Sequence, residues 1–568
     1  MAFDLISGDP ATAMLGTAAT PEKVAALRAE LGLDRPLLVR YGEWLAGFFT
    51  GNLGISYSYG QPVWELISSK VLVTLVLSLM SFVLIVAVSI PLGLRSAVGG
   101  GKLEGVRDGV RTVINQLCMA VPPFFTGILL SWLFGTVLHW FIHGQFPGFA
   151  HDPLGSLGYL LFAAISLAIP RIAMTTRMLR GTIREELQKD YVRTAISRGN
   201  DRKGVLRRHV LKNSLVVTVT FLAQTMAEIV AGSIVVEQVF AIPGLGRMLV
   251  ASISSRDYPT VQAIVVILAF LGGAGRNGGR PHQPADRSPP AVRRASGMKR
   301  KQRNGYLLAG GILAGFLAAV ILLGIFWTPY DPAAMSVGPK LAGPSLLHPM
   351  GTDNFGRDIL SRVMQGAGTT CTIALATVAI GAVAGTLIGA LTGYFGGLVD
   401  EVLMRVGDAM TAFPSILLAL VVISLLGPGK KYNVVVALGL VFIPSFARVT
   451  RTAFASLRDV NYVKSARLMG ASPWRILVVH MLPNTTSVLL PALTIGFNNA
   501  VLAEASMSFL GIGVTPPDAS LGYMLSEAQS MLTTAPWYAV ATGGTIVLLV
   551  FSVGLLGEGL QRRDKGVA

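Results

Sequence analysis

The decamer DYVRTAISRG at residues 190–199 is answered far along the chain by NYVKSARLMG at 461–470. Tyr191, Ala195 and Gly199 keep the spacing of Tyr462, Ala466 and Gly470. A single offset of 271 residues also carries Arg177 onto Arg448, Arg180 onto Arg451, Val192 onto Val463, His209 onto His480, Leu211 onto Leu482 and Asn213 onto Asn484. A register kept without a gap makes the two halves copies of one unit in one orientation, a parallel repeat.

Within a helix, positions i, i+4 and i+8 drift slowly around one face, so Tyr191, Ala195 and Gly199 form a stripe from an aromatic ring to small residues, over which another surface can approach closely. Arg193, Arg198, Arg202 and Lys203 flank the stripe and belong in water or against acidic partners. A closing Gly suits a turn back through the left-handed conformation. One copy alone reads as an ordinary basic loop, whereas two copies in register point to a repeated docking element.

The surroundings are those of a membrane. Of 568 residues, 52% are hydrophobic and only 14% charged, too little polar surface for a soluble protein of this size. The formal charge of +17 is gathered in loops between apolar runs, the positive-inside pattern, so nucleic acid is not implied. Cys118 and Cys371 stand singly in apolar surroundings, which suggests neither a disulfide framework nor a metal site.

Apolar runs near spanning length fall at about 71–95, 112–140, 155–174, 214–240 and 259–274, then at 306–327, 370–393, 410–427, 433–447, 486–511 and 538–557. The expectation is an all-α polytopic transmembrane helical bundle of two parallel repeats with about 11 membrane helices. Basic residues crowd 171–213 and 448–475, which places both in the cytoplasm together with 95–111, 275–305, 393–409 and the QRRDK tail. Loops 328–369 and 512–537, and the region 1–70, fall outside. The chain divides into an extracytoplasmic N-terminal region 1–70, a first transmembrane unit 71–272, a linker 273–305 and a second transmembrane unit 306–568. The linker is rich in Gly, Pro and Arg and is expected to be a disordered cytoplasmic junction.

At the paired decamers the sequence resembles the permease subunits of ATP-binding-cassette importers, whose cytoplasmic signature runs from an EAA element through a Gly to Ile-x-Leu-Pro. The second copy offers SARLMG and then HMLPN, with Leu482 and Pro483; the first offers TAISRG and HVLKN, with Lys212 where the family has Pro. Thr194 and Ser465 replace the Glu of the EAA element. The flanks narrow the resemblance to the dipeptide, oligopeptide and nickel branch. Residues 1–270 look like one permease, through LGLDRPLLVRYGEWL, GNLGISY and VVEQVFAIPGLGRMLV. Residues 298–568 look like its partner, through HPMGTDNFGRDILSRV, GYFGGLVDEVLMRVGD and LAEASMSFLGIG.

The resemblance implies a MetI-like fold, a fused permease pair, multi-pass insertion in the cell inner (plasma) membrane, and no cofactor or metal. It implies that two separate ABC ATPase subunits dock on the segments carrying Tyr191, Ala195, Gly199, Tyr462, Ala466, Gly470, Leu482 and Pro483. An extracytoplasmic substrate-binding protein would deliver a peptide-like or metal-complex substrate. In that family a membrane helix precedes the segment that starts here at ISGDPA, so upstream coding sequence is expected to add roughly 20 apolar residues. Met298 reads as a natural start of the second unit, and the linker as the scar of a fusion or frame shift.

Other constellations were weighed on their chemistry. GPGKK at 427–431 lacks the first Gly of a phosphate loop and places Lys431 where Ser or Thr would hold magnesium. With no GxxxxGK[ST] stretch elsewhere, the chain is expected to be no enzyme. His209 and His480 have no second ligand at i+4, so a metal role does not follow. Glu228, Glu237 and Glu504 lie in or near apolar helices, where an ionisable group is costly. Glu237 and Glu504, close to the outer helix ends, either hydrogen-bond loop backbone or belong to an outer gate. Asp353, Arg357 and Asp358 in GTDNFGRD form a charged outside loop, either a solvated turn or a contact for the binding protein. The competing function is a secondary transporter driven by an ion gradient, which the cytoplasmic position of the repeated element disfavours.

Overall fold

The computed structural model describes residues 10–15, 19–30, 32, 34–97, 104–277, 305–427 and 429–564. Most of the junction 273–305 lies outside the described residues, as does part of ISGDPA.

All eleven apolar runs are helical. The first unit comprises α1 (Val63–Ala97), α2 (Glu104–Ala120), α3 (Pro123–Leu130), α4 (Pro153–Glu186), the short α5 (Asp190–Ser197), α6 (Leu211–Val239), α7 (Leu245–Ser254) and α8 (Tyr258–Asn277). The second begins with α9 (Gly305–Phe326) and continues with α10 (Ile359–Phe395), α11 (Gly397–Ala412), α12 (Ser415–Leu426), α13 (Lys431–Leu457), α14 (Asn461–Leu468), α15 (Thr486–Phe509), α16 (Leu521–Ser530) and α17 (Pro536–Asp564). Among the described residues eight helices are long and apolar enough to span a membrane, and two bent pairs raise the number to ten. The eleventh run, 258–272, is a shorter apolar helix.

The bends sit where the sequence dictates. The pair α2 and α3 turns by 87° and the pair α11 and α12 by 92°. Pro122 and Phe413 are extended at these corners, with ψ of 142° at both. Each precedes a Pro, whose ring disfavours the helical conformation in the residue before it. Both 112–140 and 410–427, which look like single runs in sequence, are therefore broken.

Each unit is built on a parallel helix pair, α1 with α4 and α10 with α13. In the second pair Gly381, Gly385, Gly389 and Gly393 form a stripe along α10. A Cβ on Gly385 would lie 2.7 Å from the carbonyl of Ile443 and 2.9 Å from the amide of Ala447, so the helices meet backbone to backbone. In the first pair the stripe is Ser81, Ile85, Ser89 and Gly93, all buried, and Gly93 faces the side chain of Leu179. Lipid offers helices no hydrophobic gain on meeting, so close packing of small residues supplies the attraction.

The units touch across their boundary. Phe124 of α3 stacks on Phe509 of α15 at 5.3 Å. Gln116 of α2 donates to the carbonyl of Gly554 in α17 at 3.5 Å, and Gln529 of α16 donates to the carbonyl of Val239 in α6 at 2.9 Å. The outer end of α1 is tied to the start of α8 by Asp257, which is buried and accepts from Ser56 and from the amide of Tyr57 at 3.0 Å.

Candidate functional site

Two regions at opposite ends of the bundle carry the functional side chains. At the basic end, α5 and α14 occupy equivalent places after the long helices α4 and α13. Both close with the same turn. Gly199 and Gly470 have φ of 85° and 80°, and the amides of Asn200 and Ala471 reach back to the carbonyls of Ala195 and Ala466 at 3.3 and 3.1 Å. This is a Schellman closure, in which Gly avoids the Cβ penalty of the left-handed region. A Cβ at either Gly would meet nothing within 4 Å, so backbone conformation rather than crowding within the chain selects Gly.

The inner face of these helices differs from the stripe read in sequence. Val192 and Val463 are the most buried residues of their decamers. Tyr191 and Ala195 pack on an apolar cluster of Leu179, Ile183 and Val205. Ala466 joins a matching cluster of Phe454, Ile476 and Leu477, against which Leu482 also packs. The two alanines thus face the chain's own helices. Tyr191 donates to Glu186 at 2.7 Å and accepts from Asn213 at 3.3 Å, and burial, then the bond to Glu186, pushes its phenol up from the ordinary value. Tyr462 is more exposed, and Pro483 lies at the surface.

The outward face carries residues that sequence reading passed over. Leu468 is 88% exposed, Met469 83% and Trp474 60%. Together they leave an open apolar surface just beyond the end of α14. Their only signal in the sequence is where the copies diverge, with Ser197 and Arg198 opposite Leu468 and Met469.

The Leu-Pro element also acquires a geometry. In both units a π-helical turn, Leu206–Val210 and Ile476–Met481, follows the short helix. The first runs straight into α6 through Lys212, whereas Pro483, with no amide hydrogen to donate, sits in a 3₁₀ turn Leu482–Thr485 that precedes α15.

Repeated arginines bind the long helices to the bent ones. Arg180 pairs with Asp108 at 2.5 Å, and its counterpart Arg451 pairs with Asp400. Asp108 has a second partner in Arg184 at 2.7 Å. Arg177 and Arg448 part company: Arg448 reaches Asp408 in its own unit at 3.1 Å, whereas Arg177 crosses to Glu558 of the other unit at 2.5 Å. Glu228 meets Arg171.

At the outer end, Glu237 is fully buried and accepts from Thr74 at 2.7 Å and from the amides of Gly246 and Arg247 at 2.7 and 3.1 Å. It thereby satisfies the orphan amides at the start of α7. Glu504, equally buried, accepts from Ser508 at 2.7 Å, whose oxygen takes the amide of Val514 at 3.0 Å. Both glutamates hold an outer loop on its helix.

The GTDNFGRD charges are turned inward as well. Asp353 has no exposed surface and pairs with Arg357 at 2.6 Å and Arg362 at 2.7 Å. Asp358 caps α10 through the amide of Ser361 at 2.7 Å and meets His348 at 2.9 Å. Their hydrogen-bonding capacity is used within the protein, so of the two readings of this loop the solvated turn does not describe it: the charges form a buried network.

Between the units, where α6 and α15 end, lies a cavity of ≈ 510 Å³ bounded by α16 and by the π-helical turn Ser131–Val137. Gln238, Ser526, Gln529, Ser530 and His143 contribute polar groups to its wall, with Phe509 and Ile128 among the apolar ones. Burial, and then the nearby Arg247 charge, hold His143 below its ordinary value, so the ring is neutral at pH 7. None of these residues stood out in the sequence.

Comparison with known proteins gives this arrangement its place. Residues 89–274 and 385–565 each match the family described as binding-protein-dependent transport system inner membrane component. The chain belongs to that family. It carries the family's unit twice, and residues 1–79 match the N-terminal region of such membrane components. A putative peptide transport system permease of Brucella abortus is 39% identical over 269 residues, 47% of this chain and 84% of that protein. A glutathione transport system permease of Pectobacterium atrosepticum is 37% identical over 264 residues, 46% of this chain and 87% of its own length. A dipeptide transport system permease of Haemophilus influenzae is 36% identical over 267 residues, 46% and 90% respectively. The chain is a multi-pass inner-membrane permease component of this family, with two units where each of these relatives aligns with about half the chain.

Proposed function

We propose that the chain supplies both halves of the pathway of an ATP-driven importer of peptides or related small solutes, with 71–272 and 306–568 as the two halves and 1–70 on the outer side. Two separate ATPase subunits dock on α5 and α14, and a substrate-binding protein meets the outer face. The observation that carries this reading is the pair of short helices at one offset, both seated on apolar clusters at the basic end and the second presenting Leu468 and Met469 to solvent. Closure of the ATPase dimer then moves α4 and α13 through those clusters. The names of the relatives support a peptide cargo. Tyr191, Ala195 and Ala466 serve by seating the docking helices, and Gly199 and Gly470 by closing them.

The test uses residues that the fold does not need. Leu468→Glu with Met469→Glu adds charge to an open apolar surface, so insertion and detergent elution should stay parental while co-purifying ATPase falls at least tenfold. Parental ATPase binding and uptake in this double variant would remove the docking assignment.

A further inference from the structure

The cavity between the units is unusual in what its wall lacks. Among the described residues no Asp, Glu, Lys or Arg lines it, although charged groups stand close behind. Glu527 follows Ser526 directly, yet its carboxylate is turned away to Arg362 at 2.9 Å, to Arg357 at 3.4 Å and to the Tyr538 hydroxyl at 2.9 Å. Arg247, which depresses His143, donates to the carbonyl of Ala241 at 2.7 Å. Neither residue lines the cavity itself. What remains inside is neutral and polar: two amides, hydroxyls and an uncharged imidazole.

One of these groups has unused capacity. Gln238 Oε1 is buried and accepts no hydrogen bond among the described residues. A buried acceptor left unpaired costs roughly 1–3 kcal/mol, a penalty that a donor on a passing solute removes. The volume of ≈ 510 Å³ falls inside the range of about 300–1,000 Å³ typical of small-molecule sites.

Resting on the peptide-importer reading, we propose that this cavity is a subsite for short peptides that engages main-chain amides, with Gln238 as acceptor, and excludes fixed charge so that side chains of either sign pass. A fixed charge in a partly dry chamber would hold one sign of side chain and repel the other. Amide-to-amide bonds are common to every peptide, and they are weak enough to release it inward, as transport requires.

The full chain, reconstituted with its ATPase subunits and binding protein in liposomes, is assayed for ATP-dependent uptake of labelled Ala-Ala-Ala, Ala-Lys-Ala and Ala-Glu-Ala. Each rate is taken relative to the parent for the same peptide, which cancels the preference of the binding protein. Gln238→Leu should lower all three alike, by fivefold or more. Gln238→Glu should lower Ala-Glu-Ala at least tenfold more than Ala-Lys-Ala. Ser530→Asp, at an exposed position on the same wall, should shift the ratio the same way by a smaller factor, and it decides the matter if Gln238→Glu does not assemble. Parental uptake of peptides with no change in the charge ratio in either acidic variant overturns the subsite alone. Absence of ATP-dependent uptake of any of the three by the parent overturns the peptide reading, and the subsite with it.

Discussion

Behind α5 stands Glu186, which takes the Tyr191 hydroxyl and the Lys189 ammonium; at the corresponding place behind α14 stands Leu457, packed into an apolar cluster. There Arg467 instead lies over the Tyr394 ring at 5.3 Å. The contrast extends inward, because α1 meets α4 through Ser and Ile while α10 meets α13 through four glycines. Two copies of one unit therefore keep one backbone register with different physics. The first uses hydrogen bonds and charge, and the second uses close backbone contact and apolar packing. The second also leaves the more apolar open face, so under the proposed docking the coupling load is expected to fall more heavily on α14.

The largest effect that separates the halves is steric. Gly385→Ala places a methyl against the Ile443 and Ala447 backbone, which cannot swing aside, and should destabilise by about 1–3 kcal/mol. Gly93→Ala meets the Leu179 side chain and should cost less than about 1 kcal/mol, since a rotamer change relieves it. Thermal unfolding of the two variants in detergent measures the difference, and equal shifts would show the stripes to be packed alike.

A smaller effect separates the arginine clamps. Arg451→Ala leaves Asp400 without its partner, whereas after Arg180→Ala the carboxylate of Asp108 keeps Arg184. The first should lower stability by about 1 kcal/mol, allowing for the partial exposure of Arg451, and the second by about half of that. Adding Arg184→Ala to Arg180→Ala leaves Asp108 only Arg111 at 3.7 Å and should bring the loss close to the larger one, and additivity without that jump would mean that Arg184 is no substitute.

The smallest contrast is expected to vanish. Gly199→Ala and Gly470→Ala each force a Cβ into φ near 80° with open space around it, a penalty of about 1–2 kcal/mol confined to a surface turn. The two variants should behave alike in unfolding and in ATPase co-purification. A loss of ATPase binding by Gly470→Ala alone, with the fold intact, would show that the partner contacts this turn closely in the second half only.

Much of the architecture was legible because it rests on local pattern. Apolar runs of spanning length and Gly at 199 and 470 act through the backbone of their own segment, whatever surrounds them. The bends escaped notice because a run of apolar residues has the same composition whether straight or broken. The direction of the Tyr191 and Ala195 stripe was misjudged for another reason. A stripe of small residues is equally suited to a partner or to the chain's own helices, and only the presence of Leu179, Ile183 and Val205 beside it decides.

What the sequence by itself determined is the parallel repeat, the spanning helices and the places of the two short repeated helices, all of which follow from periodicity along the chain. The tertiary structure alone decided which charges are spent and which surfaces remain open. Glu527 is neutralised by Arg362 from another helix, Arg177 by Glu558 from the other unit, and the neutral cavity exists because Val239 and Gln529 are brought together. These partners are remote in sequence, and no local propensity links them. Their pairing is set by the packing of helices in lipid, where buried polar groups must find one another within the protein because no water is there to serve them.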